Sequence, residues 1–369
     1  MDTSDRDLTF DADGVCHFCR TVPARLEQYW LRGAKGQAAL DQLIDRIRKS
    51  GKGRDYDCII GLSGGVDSSW LALKAKDWGL RVLAFHSDAG WNSELAVQNI
   101  EHVTNYCGFD LQTDILPWEE VRDIQLAYLK AGVLNQDVPQ DQGFFASLYK
   151  ATRQFKIRYN LDGANLSTEC VLPASYVGYS NSRDARNLVA IHQAFGTIPL
   201  HEYPLLSVFK TLLYRNGLFM DIASPLNFME YNKPAALAEL KERAGYKPYE
   251  GKHGESVFTK FYQDYFLPKR FNIDKRRAHL SSLIITKQMT RAEALTEVAR
   301  PPLSPGEEEQ ILDYICTKLR LTRAEFDTIL SMPTREHSGF ANSRRLEAIA
   351  SKYLMWPVRK WRRLRGITR

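Results

Sequence analysis

The chain has no run of about 18 apolar residues, the length a helix needs to cross a bilayer, so no transmembrane segment is expected. Its N-terminus lacks the charged-then-apolar pattern of a secretory signal. Cysteine is scarce and scattered, six in 369 residues, with only Cys16 and Cys19 closely spaced. These absences argue against a disulfide-stapled secreted fold and point to a reducing, cytoplasmic setting. No internal repeat or low-complexity tract occurs, which sets aside solenoids and disordered chains. No Gly-x-x-x-x-Gly-Lys-Ser/Thr string occurs, so the phosphate loop of Walker A proteins is excluded. Charge of one sign is missing over most of the chain. Seven of the 50 basic residues fall in 352–369 with no acid, leaving 43 bases against 44 acids in residues 1–351. A nucleic-acid enzyme usually carries a basic face on its body, so no nucleic-acid partner is expected.

What is present is concentrated in residues 57–69, Asp-Cys-Ile-Ile-Gly-Leu-Ser-Gly-Gly-Val-Asp-Ser-Ser. An apolar strand runs into Ser-Gly-Gly-x-Asp-Ser, and a helix follows. Gly64 and Gly65 let backbone N–H groups approach an anion closely. The dipole of the following helix favours that anion's negative charge. Ser63, Ser68 and Ser69 add hydroxyl donors, and Asp67 is placed to hold Mg²⁺ against phosphates. The alternative is an ordinary strand-to-helix turn, which the full six-residue string in this context argues against.

The remaining pattern places this loop in an α/β fold. Residues 36–49 read as an amphipathic helix. Strands at 57–62, 81–86, 111–115 and 159–163 alternate with helices at 69–78, 93–106, 119–130 and 143–158. Such alternation specifies a parallel sheet covered by helices on both faces. Ligands then bind beyond the carboxyl ends of the strands. After about residue 225 only helical periodicity remains, at 233–244, 255–266, 274–286, 290–299, 306–319, 322–330 and 341–354. Three units are expected: an N-terminal segment over 1–50, a parallel-sheet unit over 51–225, and a helical C-terminal region with a basic tail over 226–369. A chain of 369 residues that is 44% apolar can bury cores of that size.

The Ser-Gly-Gly-Val-Asp-Ser loop resembles the signature of the PP-loop ATP pyrophosphatases. That resemblance implies ATP, Mg²⁺ and transfer of AMP to a carbonyl oxygen. Residues 160–170, Asn-Leu-Asp-Gly-Ala-Asn-Leu-Ser-Thr-Glu-Cys, resemble the region of NAD synthetase that helps bind the metal. The resemblance implies Glu169 as a second Mg²⁺ carboxylate opposite Asp67, with Gly163 and Asn165 at the nucleotide. The other reading of Glu169 is a surface carboxylate in a first helical turn. Phe85, His86 and Ser87 would lie near adenine, although a lone histidine such as His86 is more often structural.

Three further stretches are similar to the N-acetyl sugar amidotransferases of lipopolysaccharide O-antigen biosynthesis. They are residues 1–19, residues 225–234, and residues 251–291 with their Gly-Lys-His-Gly-Glu-Ser and Asp-Lys-Arg-Arg-Ala-His strings. The resemblance implies a nucleotide-linked acetamido sugar whose amide oxygen is adenylylated and then displaced by ammonia. Lys252, His253 and Glu255, in a Gly-rich string, are candidate site residues beside Ser63 and Asp67. A basic cluster of Lys252, His253, Lys269, Arg270, Lys275, Arg276, Arg277 and His279 would receive the sugar's negative charges. The same cluster also reads as a solvated helix face. No glutaminase signature is visible, so the resemblance implies ammonia-supplying partners like the glutaminase and cyclase subunits of histidine biosynthesis.

Cys16 and Cys19 have zinc-ligand spacing, but a tetrahedral site needs four ligands. They are either half of a zinc site or two free thiols. The tail from Trp356 mixes aromatics and bases and either touches an anionic membrane surface or stays solvated. Two rival functions remain open. One is a PP-loop tRNA-modifying enzyme of the thiolase or lysidine synthetase type, which needs a reactive cysteine such as Cys170 rather than the strand residue Cys58. The other is a nucleotide sensor without turnover.

Overall fold

The computed structural model describes residues 1–178, 182–215, 220–249 and 254–353. Five parallel strands form one sheet: β1 (Cys58–Gly61), β2 (Val82–Asp88), β3 (Asp110–Ile115), β4 (Tyr159–Leu161) and β5 (Asp221–Ala223). Their order is β3-β2-β1-β4-β5. The central runs Cys-Ile-Ile and Val-Leu-Ala-Phe are buried throughout, as a parallel sheet covered on both faces requires. The chain leaves β1 toward β2 and β3, then returns to β4 and β5, so the order reverses between β1 and β4. Residues 63–65 and 162–165 leave the carboxyl ends of those two strands. This is the crevice where open α/β sheets bind ligands.

Helices α1 (His17–Tyr29) and α2 (Gly33–Gly51) precede the sheet. Helices α3 (Val66–Asp77), α4 (Glu94–Cys107), α5 (Trp118–Ala131) and α6 (Val138–Gln154) lie between its first four strands. Between β4 and β5 come α7 (Leu166–Glu169), α8 (Ala174–Val177), α9 (Ala185–Phe195) and α10 (Val208–Arg215). The C-terminal part is helical: α11 (Lys233–Ala244), α12 (Val257–Phe261), α13 (Leu267–Phe271), α14 (Arg276–Ile285), α15 (Arg291–Ala299), α16 (Pro305–Leu319), α17 (Arg323–Ser331) and α18 (Arg344–Tyr353). A π-helical stretch, Tyr262–Phe266, joins α12 to α13.

One sheet face packs Ile60, Val82 and Ala84 against Leu43, Leu71, Val103 and Leu240 of α2, α3, α4 and α11. The other packs Ile59, Leu83 and Phe85 against Leu148 and Ala151 of α6. The largest core lies off the sheet, where α1, α5 and α9 meet the C-terminal helices through Leu26, Ile124, Leu188, Phe258, Leu312 and Phe326. Among the described residues no helix is long and apolar enough to cross a membrane.

Several boundaries differ from expectation. α3 starts at Val66 rather than 69, because Gly65 holds the extended conformation that flanks a helix start. Asp67 therefore sits in the first turn. α6 starts at Val138, five residues early, with Pro139 in the first turn where its missing N–H costs nothing. The three-residue β5, and the helices α1, α9 and α10, carry no signal that periodicity alone exposed.

Candidate active site

The site is built on the turn between β1 and α3. Gly64 has φ +82°, and a Cβ there would lie 2.7 Å from the Ala96 carbonyl oxygen, so only glycine fits. Ser63 Oγ accepts from Gly65 N–H at 3.2 Å and lies 3.3 Å from Ser68 Oγ. The turn thus folds back on the first turn of α3, whose unpaired N–H groups and dipole favour an anion. Ser69 Oγ, buried beneath it, has no hydrogen-bond partner among the described residues.

Three tyrosines from the segment around α11 hold this turn, and sequence reasoning did not find them. Tyr246 and Tyr249 both donate to the Gly64 carbonyl, at 2.7 and 2.9 Å. Tyr231 donates to Asp67 Oδ1. Burial first, and then the Asp67 carboxylate, push the Tyr231 phenol far up. Burial pushes Tyr249 up to about 12. All three are therefore neutral donors at physiological pH. α11 is clamped to α3 so that they reach: Trp70 Nε1 and Lys74 Nζ both donate to the Glu239 carboxylate at 2.7 Å, and Arg243 pairs with Asp77. No motif marks such tyrosines, since an isolated tyrosine reads as core.

Asp67 and the β4 end come together. Asn165 Nδ2 donates to Asp67 Oδ1 at 3.4 Å, while Asn165 Oδ1 caps α7 by accepting from Thr168 N–H at 2.9 Å. Both bonds to Asp67 fall on Oδ1, so Oδ2 is the oxygen left to a cation. Gly163 lies flat against α3: a Cβ there would be 2.9 Å from Ser68 N. Glu169 is exposed, and its charge acts on Tyr231, which places it on the Asp67 side of the crevice. This oxygen-rich set fits Mg²⁺.

The end of β2 is locked. His86 Nδ1 can only donate to the Leu62 carbonyl at 2.8 Å, so Nε2 accepts from Asn92 Nδ2 at 2.8 Å. Both ring nitrogens are thus held within the protein, one by a backbone carbonyl and one by a side-chain amide. Phe85 is core, facing α6. Ser87 Oγ is buried without a partner among the described residues.

Glu255 reaches the loop. Its carboxyl carbon would lie 3.7 Å from a Cβ on Gly65. The segment around it is tied to the loop after β2: Ser93 N–H donates to the Glu255 carbonyl at 3.0 Å, and Ser93 Oγ to the Gly254 carbonyl at 2.7 Å. Lys252 and His253 lie outside the described residues.

The remaining basic residues do not form one patch. Arg276 forks onto the Asp274 carboxylate and donates to the Arg300 carbonyl beyond α15. Arg277 pairs with Asp2. Arg270 donates to backbone carbonyls of 329, 330 and 332. Lys269 pairs with Glu308 at 3.3 Å. Lys275 instead turns toward α6, where its charge acts on Asp137 and Asp141. His279 Nδ1 lies 3.1 Å from the Thr168 carbonyl, one residue from Glu169.

The thiols of Cys16 and Cys19 meet at 3.5 Å at the start of α1. Among the described residues no group of three or more His, Cys, Asp or Glu could hold a metal ion, so the zinc expectation has no completed site. Burial raises the thiols of Cys58 and Cys170, which disfavours their thiolate forms.

Residues 255–355 match the family model described as "LPS biosynthesis protein WbpG-like, C-terminal domain". No curated protein matches the chain. Three solved structures are similar to it. NMN synthetase from Francisella tularensis shares 13% identity, with 74% of this chain and 99% of that one covered and a TM-score of 0.36. U34-tRNA thiolase NcsA from Methanococcus maripaludis, with its 4Fe-4S cluster, shares 12% identity over 68% of this chain and 80% of that one, with a TM-score of 0.34. NH3-dependent NAD synthetase from Campylobacter jejuni, in complex with the nitrate ion, shares 16% identity over 81% and 98%, with a TM-score of 0.33. The match to the WbpG-like C-terminal domain of lipopolysaccharide biosynthesis proteins thus begins at Glu255, in the segment that reaches the loop.

Proposed function

We propose that the protein is an ATP-dependent, AMP-forming amidotransferase acting on an N-acetyl group of a nucleotide-linked sugar for lipopolysaccharide O-antigen or a related surface glycan. The observation that carries this reading is the contact between two parts of the chain. The anion-binding turn at 63–69 sits at the reversal point of the sheet, and Glu255, the first residue of the lipopolysaccharide-type domain, lies against Gly65. In this division residues 51–225 bind ATP and residues 226–369 contribute to the sugar site.

The acetamido oxygen attacks the α-phosphorus of ATP and pyrophosphate leaves. Ammonia then adds to the activated carbon, a proton is lost, and AMP departs with the former amide oxygen, leaving an acetamidino group. The turn's N–H groups and the first turn of α3 hold the pyrophosphate half and stabilise its growing charge. Asp67 and Glu169 would hold Mg²⁺, which when bound neutralises phosphate charge. Tyr246 and Tyr249 keep the Gly64 peptide oriented, so that much of the catalysis is positioning. A glutaminase with a cyclase-like subunit is the ammonia source that this reading calls for.

The test measures pyrophosphate release from ATP and Mg²⁺ with ammonium chloride, with and without a UDP-diacetamido-uronic acid. Release should depend on the sugar and fall by at least about 100-fold in Asp67→Ala. ATP binding with no sugar dependence would overturn the reading and make a bulk tRNA pool the next substrate to try.

A further inference from the structure

A surface helix of a globular domain turns its apolar stripe to the core. α18 turns one to solvent. Leu346, Ile349 and Tyr353 recur at i, i+3 and i+7 and share one face. They are 50%, 58% and 66% exposed. Glu347 and Ala350, on another face, are half-buried, and α18 packs against α10, which itself exposes Phe209. The helix is thus anchored to the body while its apolar stripe stays in water.

Charge selects what covers that stripe. Arg345 and Lys352 stand four residues before and three after Ile349, so both flank it, and both are exposed. Lys352 Nζ lies 5.3 Å from the centre of the Tyr353 ring. Glu347 is the last acid of the chain. Residues 354–369, outside the described ones, add six Lys or Arg together with Trp356 and Trp361. Residues 1–351 hold 43 bases against 44 acids, so the net positive charge of the chain belongs to this end. A second copy is a poor cover, because pairing two such stripes brings their basic flanks together. An anionic bilayer meets both needs. Its acyl chains accept the stripe, and its headgroups accept the Arg and Lys heads, whose stems run along apolar surface. Tryptophan mixed with bases suits the same interface. The ten residues of α18 are half of the about 20 that a spanning helix needs, so the helix would lie on the surface rather than cross it.

We propose that α18 is an interfacial helix that, with the basic residues after it, docks the protein on an anionic lipid surface. Leu346, Ile349 and Tyr353 insert at the boundary of headgroups and acyl chains, while Arg345 and Lys352 pair with lipid phosphates. Docking uses no residue of the turn at 63–69, and the inference stands apart from the sugar reading proposed above.

The test is co-sedimentation of the full chain with two vesicle preparations, phosphatidylcholine alone and phosphatidylcholine mixed equally with phosphatidylglycerol. Partition onto the anionic vesicles should exceed that onto the neutral ones by about tenfold or more. Raising the salt to about 1 M, where the Debye length is about 3 Å, should release most of the protein. Leu346→Gln combined with Ile349→Gln keeps every charge and a helix-forming side chain. This pair should weaken partition onto the anionic vesicles by about tenfold. Arg345→Gln combined with Lys352→Gln keeps the stripe, should also weaken it by about tenfold or more, and decides the matter if the first pair fails to fold. Equal partition of the wild-type chain onto both vesicles overturns the anionic surface as the partner. Unchanged partition of the folded first pair overturns the inserted stripe and leaves adsorption by charge alone. A wild-type chain that ignores both vesicles overturns the proposal. Self-association abolished by the first pair would then give the face to a second copy, and retention on immobilised polyglutamate would give it to an acidic protein.

Discussion

One phenol hydroxyl sets how Asp67 presents its carboxylate. Tyr231 and Asn165 both occupy Oδ1, which leaves Oδ2 as the oxygen for a cation. Partners of this kind typically govern metal affinity or activity by 10–100-fold. Tyr231→Phe should therefore raise the Mg²⁺ concentration for half-maximal pyrophosphate release by about tenfold, while costing only about 1 kcal/mol of stability. A Mg²⁺ titration at saturating ATP checks this, and an unmoved midpoint would leave Tyr231 a packing residue. Gly64→Ala is a harsher change. It must adopt φ +82° and fit a methyl 2.7 Å from the Ala96 oxygen, so ATP-dependent turnover should fall by about 100-fold or more. The turn itself was legible because its chemistry is contiguous: Ser63 through Ser69 act through their own backbone. The tyrosines were not, because a hydroxyl's role depends on where the fold delivers it, here 164 to 185 residues along the chain from its partner. Adjacent charges misled in the opposite direction. Arg276 and Arg277 look like one patch in sequence, yet one satisfies Asp274 and the carbonyl beyond α15 while the other pairs with Asp2.

At the scale of elements, buried polar side chains stitch α9 to the segment between α17 and α18. Asp184, flanking α9, accepts from Ser343 N–H and Ser343 Oγ, and Asn187 Nδ2 donates to the His337 carbonyl at 2.9 Å. That orientation leaves Asn187 Oδ1 to accept from His337 Nδ1 at 2.9 Å. Burial, and then Arg344, lower His337 from 6.5 to about 4. Between those values the unfolded chain binds a proton that the folded chain refuses. Stability from this group is therefore complete above pH 6.5 and is lost as pH falls toward 4. The shift amounts to at most about 3 kcal/mol. His337→Asn, which can keep the bond to Asn187, should be less stable than wild type at pH 7.5, and the gap should narrow by pH 4.5 in urea titrations. A gap that stays constant with pH would remove His337 as its source. Strands β1 and β2 and the amphipathic α2 were legible from periodicity. The short β5 was not, because three residues carry no period, and pairing with β4 rather than propensity makes it a strand.

At the scale of the molecule, the C-terminal helices are not an appendage to a finished sheet domain. The largest core joins Val22 and Leu26 of α1, Val121, Ile124 and Tyr128 of α5, and Leu188 and Ile191 of α9 to Phe258, Phe261, Phe266, Leu312 and Phe326. Periodicity located most of these helices but not their partners, since an apolar stripe does not name the surface it meets. Cutting the chain after residue 254 would leave the α1, α5 and α9 side of this core facing water. It would also remove Ser256, Thr259 and Glu255 from Gln140, Asp137 and the Gly65 turn. Each large aromatic or aliphatic side chain stripped of its cover forfeits about 1.5–3 kcal/mol, and a handful exceeds the 5–15 kcal/mol that holds a typical domain. Residues 1–254 should therefore bind a hydrophobic dye strongly and show no cooperative melting transition, whereas the full chain melts cooperatively. A sharp transition in the shorter chain, with ATP affinity retained, would instead make the sheet unit an independently folding nucleotide-binding module.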